Sequence, residues 1–125
     1  MAPYRTLKAW QHAQRLAVQC ARAAQRFPDY EQVGLANQLR RAAYGVVMNI
    51  AEGSARRGSR EYRRFLDTAN ASLAEVETAL GLARELDYVA PAEFGRLEAL
   101  ATETGKTLFG LLRKIGASAA GSPTP

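Results

Sequence analysis

A chain of 125 residues, 47% hydrophobic and 23% charged, is long enough for one domain with its own core and too ordinary in composition to be disordered or fibrous. A net charge of +5 and a pI near 9.8 permit contact with nucleic acid or another polyanion without requiring it. No apolar run approaches the roughly 20 residues that span a bilayer, the lone Cys20 excludes an intrachain disulfide, and Met1 to Lys8 lack the apolar stretch of a signal peptide. The expectation is a cytoplasmic protein with no membrane partner.

Four segments carry a helical period. In the first, Leu7 to about Arg26, apolar residues Leu7, Trp10, Ala13, Ala17, Cys20, Ala24 and Phe27 step by three or four. Thr6 is the candidate N-cap, and Pro28 ends the helix by disfavouring α geometry at Phe27. Asp29 is a candidate cap for the second segment, with Gln32 three residues on, although Gly34 leaves the start open by several residues. There Leu35, Leu39, Ala42, Val46 and Ile50 form the buried stripe, and Ala43 and Val47 widen it. Gly53 and Gly58 bracket the stop.

The third segment is the clearest. Tyr62, Leu66, Ala69, Leu73, Val76, Leu80 and Ala83 alternate steps of four and three, which is a bundle seam. A second row, Phe65, Ala69, Ser72, Val76, Ala79, Ala83 and Leu86, lets this helix touch two neighbours. Pro91 suits the first turn of a fourth helix, whose stripe is Phe94, Leu97, Ala101, Thr104, Leu108, Leu111 and Ile115. The short connections predict an all-α fold, an antiparallel up-down-up-down four-helix bundle over residues 1–115. Residues 116–125, ending Ser-Pro-Thr-Pro, read as a flexible tail.

The residues of bundle-borne catalysis are missing. Carboxylate-bridged metal sites need Glu-x-x-His pairs, and the single His12 has no ligand at suitable spacing, so it reads as solvated or partly packed. Cys20 lies on the apolar stripe as a small buried hydrophobe. Glu75 and Glu77, two apart on a helix, point in different directions. No strand precedes a Gly-rich phosphate loop. The expectation is no metal, no cofactor and no enzymatic activity.

The stretch from Gly34 to Glu77 is more patterned than a bundle needs. Gly34-Leu35, Gln38-Leu39-Arg40-Arg41-Ala42-Ala43, Asn49-Ile50-Ala51-Glu52-Gly53, Arg57, Glu61-Tyr62, Phe65-Leu66 and Ser72-Leu73-x-Glu75 closely resemble the four-helix-bundle family named for proteins encoded in 23S rRNA intervening sequences. Phe27-Pro28 and Glu85-Leu86-x-Tyr88 fit too, so the resemblance covers about residues 4–115. Two departures exchange small residues: Gly45 stands where the family usually has serine, and Ala71-Ser72-Leu73 where Gly-Ser-Leu is common. The resemblance implies compact bundles assembled into rings, typically homopentamers. For one branch it implies an accessory subunit of diversity-generating retroelements, which binds a reverse transcriptase and nucleic acid. A homopentamer, RNA or DNA, and a reverse-transcriptase-like protein are the partners to expect on that basis.

Two residue groups stand out as sites. Gly45, Asn49 and Glu52 follow one ridge of the second helix, and Ser72 and Glu75 occupy the corresponding part of the third. The expectation is a polar network of Arg41, Asn49, Glu52, Ser72 and Glu75 that fixes helix register, because half-buried polar groups need partners. The alternative is that each faces water.

The second group is Arg56, Arg57, Arg60, Arg63 and Arg64 at the turn between helices two and three, opposed locally by Glu61 alone. Helix three is basic at its start and acidic at its end, against the preference of the helix dipole, which invites a functional explanation. Arginine offers bidentate contacts to phosphate, and no aromatic platform accompanies these arginines beyond Tyr62 and Phe65, both assigned to the core. Three functions follow. The first is a non-catalytic homo-oligomeric scaffold binding nucleic acid, or a nucleic-acid enzyme, through basic faces. The second is a structural or protein-interaction module whose arginines make intersubunit salt bridges. The third is a small-ligand binder with Asn49, Glu52 and Tyr62 as its best candidates.

Overall fold

The 3.6-residue apolar repeat becomes four helices in a computed structural model that describes residues 3–120. A 3-10 turn, Pro3–Thr6, leads into α1 (Lys8–Gln25), and a second, Asp29–Glu31, precedes α2 (Leu35–Ser54). Two helices complete the described residues, α3 (Ser59–Glu85) and α4 (Pro91–Ala120), and no strand is present among them. Helix α1 packs on α2 and α4, and α3 packs on the same two, while the backbones of the diagonal pairs stay apart.

Paired residues give the directions. His12 meets Thr107 near one end of α1, and Arg26, just past its other end, pairs with Glu93 at the start of α4. Residue numbers therefore rise on α1 as they fall on α4. Gly45 lies against Ser72 and Gly53 against Tyr62 and Phe65, so α2 and α3 are antiparallel as well. Gly105 against Leu73 and Gly116 beside Arg63 fix the same sense for α3 and α4. This is the up-down-up-down bundle expected from the short connections.

The core follows the periodicity closely. Leu16, Leu39, Val46, Ile50, Leu66, Val76, Leu80 and Leu108 are fully buried, and alanine is the commonest residue around them, including Ala13, Ala24, Ala43, Ala69, Ala83 and Ala101. Such small side chains let helix axes approach closely and keep the stripes wide. Every seam residue expected on α3 is buried except Tyr62, which is half-buried. On α1 the stripe also takes in Ala9, Leu16 and Ala23. Leu86, expected in the second row of α3, is instead 51% exposed. The buried hydroxyl of Thr104 donates to Leu100 O at 2.8 Å, which makes it an acceptable core residue.

The helix starts differ from expectation for a geometric reason. Thr6 belongs to the 3-10 turn, and Leu7 takes the cap position of α1 without a side-chain cap bond. Asp29 opens the second 3-10 turn, not α2. That turn carries Glu31 round to the helix start, where its Oε1 accepts the Leu35 amide at 3.0 Å. Gln32 closes the preceding helix: its Nε2 donates to Ala24 O and Phe27 O, both at 3.0 Å, and Arg40 Nη2 donates to Gln32 O at 3.0 Å. Carbonyls left open at the end of α1 thereby find partners.

Two turns bring the remaining helices together. Between α2 and α3, Gly58 has φ +83°, a conformation that costs other residues strain. Between α3 and α4, Tyr88 N donates to Ala83 O at 2.8 Å and Asp87 N to Arg84 O at 3.1 Å, a Schellman pair. Asp87 occupies its left-handed position at φ 61°. Helix α4 continues to Ala120, past the end expected at Ile115, and the rest of the expected tail, 121–125, lies outside the described residues.

Candidate nucleic-acid interface

Antiparallel connectivity gathers four helix termini at one end of the bundle: the starts of α1 and α3 and the ends of α2 and α4. The five expected arginines all sit there and all are exposed. Two are already engaged. Arg56 pairs with Glu52 one turn back, and Arg64 donates to both oxygens of Glu61, at 3.0 and 3.2 Å. The hydrogen bond from Arg64 is the main cause that holds the Glu61 carboxyl below the usual range, and it raises the Arg64 guanidinium in turn.

Phe65 has a different role from the one expected. It is half-buried, and two guanidiniums lie near its ring, that of Arg56 at 4.8 Å from the centroid and that of Arg64 at 4.9 Å. The ring therefore seats two cations at the bundle's corner, an arrangement each cation gains from. Tyr62 beside it is half-buried, and burial pushes its hydroxyl up. Arg57, Arg60 and Arg63 have no carboxylate within ion-pair reach among the described residues. Their donors are open to a ligand.

Topology adds bases that sequence proximity hides. Arg5 and Lys8 precede or open α1, and Arg113 and Lys114 lie near the end of α4, so all four belong to this end. Arg5 lies 5.6 Å from the Tyr4 centroid and 5.8 Å from that of Trp10, whose rings are 4.9 Å apart. Nine basic side chains thus share one end with Glu52 and Glu61, and Asp67 is the next acid along α3. Tracing up-down connectivity through the charged residues would have found them.

The dipole argument made from α3 alone needs correction. Arg56 follows Ala55, the C-cap of α2, and Arg63 Nη1 comes within 3.7 Å of where a Cβ would stand on Gly116, near the end of α4. Both are helix C-termini, which favour cations. With two N-termini and two C-termini at the same end, the helix dipoles there largely cancel. The basic end carries no net dipole penalty to be explained by function.

The expected polar network is not one network. Asn49 Nδ2 donates to Gly45 O at 2.7 Å within its own helix, and Glu52 is taken by Arg56. Both partners are four residues away, within reach without crossing to α3. Arg41, Ser72 and Glu75 do come together, lining a groove of about 390 Å³ with Gln38 and Ala42 between α2 and α3. No hydrogen bond or ion pair joins them, and Arg41 and Glu75 are exposed. Ser72 instead marks close helix approach, since a Cβ on Gly45 would fall 2.8 Å from its Oγ. Asn49 and Tyr62 are half-buried and Glu52 is exposed.

Elsewhere, His12 Nδ1 lies 3.2 Å from Thr107 Oγ1, and no group of three or more potential metal ligands occurs among the described residues. Cys20 is buried, and burial pushes its thiol up to about 12. No described helix is long and apolar enough to cross a membrane.

The sequence profile of the 23S rRNA-intervening sequence protein family matches residues 5–110. A crystal structure of a protein of unknown function from the S23 ribosomal protein family of Bacteroides thetaiotaomicron VPI-5482 has the same fold, with a TM-score of 0.76. The likeness covers 83% of this chain and 97% of that one at 20% identity. No curated protein matches the chain.

Proposed function

The chain belongs to the 23S rRNA-intervening sequence protein family, and on that premise we propose that it is a non-catalytic homo-oligomeric scaffold that binds nucleic acid through its basic end. The observation that carries this reading is the gathering of nine bases at one end, of which Arg57, Arg60 and Arg63 have no acidic partner among the described residues. Guanidiniums free of carboxylates are the ones available to phosphates. In a ring, the family arrangement, typically of five, would repeat this end around one face and sum the fields into a strong attraction. An enzyme acting on nucleic acid, such as a reverse transcriptase, would then meet its substrate on the scaffold. The compartment is the cytoplasm, where the buried Cys20 thiol stays reduced.

The test is an electrophoretic shift with generic RNA and DNA over a salt series. Binding should weaken steeply with salt and show little sequence preference, since phosphate contacts carry no sequence information. In the Arg57→Ala/Arg60→Ala/Arg63→Ala variant the salt slope should fall by roughly 0.9 for each duplex phosphate that is no longer neutralised. Binding unchanged by those substitutions would remove this end from the interface.

The engagement of Arg56 by Glu52 and of Arg64 by Glu61 favours a second reading, in which the arginines serve carboxylates of neighbouring subunits. Absence of any shift at low salt would select it.

A further inference from the structure

The groove between α1 and α2 lies apart from the basic end and has a chemistry of its own. It encloses about 750 Å³, with Ala17, Val18 and Ala21 on the α1 side and Tyr44 on the α2 side. Arg22 and Arg40 also line it, and no carboxylate does. Tyr44 is 43% exposed, so much of its ring is open to a ligand.

Arg40 is the fixed point of this groove. Gln32 Nε2 is occupied by two carbonyls at the end of α1, which holds the Gln32 side chain in place. Its Oε1 accepts from Arg40 Nη1 at 3.3 Å, and its backbone carbonyl accepts from Nη2 at 3.0 Å. A guanidinium carries five N–H donors, and these bonds use two. The others belong to a half-buried cation that is already oriented and has no ion-pair partner among the described residues. Arg22 is exposed and has no such partner either. Two guanidiniums without carboxylates suit a phosphate.

Tyr44 stands one turn from Arg40, about 6 Å along the helix axis. An anion held by the arginines therefore has an open aromatic ring and the Val18 side chain close by. Gln14 and Gln25 add amides that both donate and accept, as the edges of a base require. A phosphate, a flat ring and mixed hydrogen-bonding edges are the parts of one nucleotide. The base has to be unpaired, because in a duplex its faces are already stacked on other bases.

We infer that the α1–α2 groove holds a nucleotide of single-stranded RNA or DNA, its phosphate on Arg22 and Arg40 and its base on Tyr44. This deepens the nucleic-acid reading by naming the single strand as the ligand and by adding base stacking to phosphate contacts. The strand continues to the basic end, because α1 starts there and α2 finishes there.

The test is fluorescence anisotropy of the full chain with a labelled oligothymidylate and with a labelled duplex of equal length. Tyr44→Ala should weaken single-strand binding about five-fold or more, as loss of a stacking contact does, and leave duplex binding unchanged. Tyr44→Phe keeps the ring and should bind the single strand as the wild type does. Arg22→Ala should lower the single-strand salt slope by roughly 0.7 for one lost phosphate. Should Tyr44→Ala fail to melt cooperatively, Arg22→Ala decides alone, and an unchanged slope overturns the inference. Equal loss on both probes in a folded Tyr44→Ala, or loss on neither, also overturns it. If only Arg57→Ala/Arg60→Ala/Arg63→Ala weakens binding, the groove is excluded and the basic-end reading stands. If only Tyr44→Ala does, the groove stands and the basic end is excluded. Adenosine monophosphate binding the wild type as tightly as the oligonucleotide would make the ligand a free nucleotide and overturn the strand.

Discussion

The Tyr88 hydroxyl donates to Glu31 Oε2 at 2.8 Å, while Oε1 of the same carboxylate accepts the Leu35 amide at 3.0 Å. One side chain therefore caps α2 and ties it to the corner between α3 and α4. The Tyr30 hydroxyl, 3.2 Å from that of Tyr88, completes the cluster. The Leu35 amide first, and Tyr88 second, hold the Glu31 carboxyl below the usual range, and hydrogen bonding to Tyr30 and then Glu31 pushes the Tyr88 hydroxyl well up.

The lowered Glu31 value sets a pH dependence. Between the folded value and the ordinary glutamate value the unfolded chain binds more protons, so stability drains away as pH falls through that window and is fully present above it. Glu31→Gln should lower the urea midpoint at neutral pH and flatten its decline toward about pH 4. A variant that loses stability with acid as steeply as the wild type would show that Glu31 is not the sensitive group.

Close approach at the end of α2 predicts an unusual sign for a helix glycine. A Cβ on Gly53 would stand 2.9 Å from Phe65 Cβ and 3.2 Å from Tyr62 O. Alanine normally improves a helix by up to about 1 kcal/mol over glycine, but overpacking costs about 1–3 kcal/mol. Gly53→Ala should lower the melting midpoint, whereas Gly110→Ala, with open space around it, should raise it. Equal shifts of the same sign would rule out a steric cause.

Asp87 sits where a Schellman turn usually has glycine, and its 3.6 Å pair with Arg84 is exposed. Such pairs contribute about 0–1 kcal/mol, while the left-handed conformation costs an ordinary residue about 1–2 kcal/mol and an aspartate less. Asp87→Gly should leave stability unchanged or increase it by up to about 1 kcal/mol, measured by denaturant unfolding. A clear loss would mean that the Arg84 pair outweighs the backbone strain.

Cys20 should be unreactive in the folded chain. Buried, with its thiol raised to about 12, it offers almost no thiolate at neutral pH. A thiol reagent should react with it only as fast as the bundle opens, and at once in denaturant. Reaction in native buffer at the rate of a free thiol would contradict the burial.

The parts legible in the sequence are those fixed by repetition. The α3 seam from Leu66 to Ala83 steps by four and three without interruption, and every residue in it is buried. Helix starts were less legible because a cap depends on the turn that delivers it. Asp29 and Thr6 have suitable side chains, but the 3-10 turns place Glu31 and Leu7 at the helix starts instead. The basic site was half legible. Arg56 to Arg64 are neighbours in sequence, whereas Arg5, Lys8, Arg113 and Lys114 join them only through the bundle's topology. Asn49 and Glu52 misled because a polar residue beside a buried stripe can be satisfied by its own helix, as Gly45 O and Arg56 do here.

The alanine-rich core decides what kinds of sequence change this fold tolerates. A site such as Ala13, Ala24 or Ala83, wholly enclosed between helices, has almost nothing to lose by truncation, since only a methyl group is there. The same site cannot accept a valine or leucine without forcing two helix axes apart, at a cost of about 1–3 kcal/mol. Natural drift in this chain should therefore be asymmetric, with losses of side-chain volume confined to the few central leucines, valines and Ile50, and gains of volume refused along most of the interior. A survey of random single substitutions, scored by retained folding, would show enlargement at the alanines as the commoner way to break the protein.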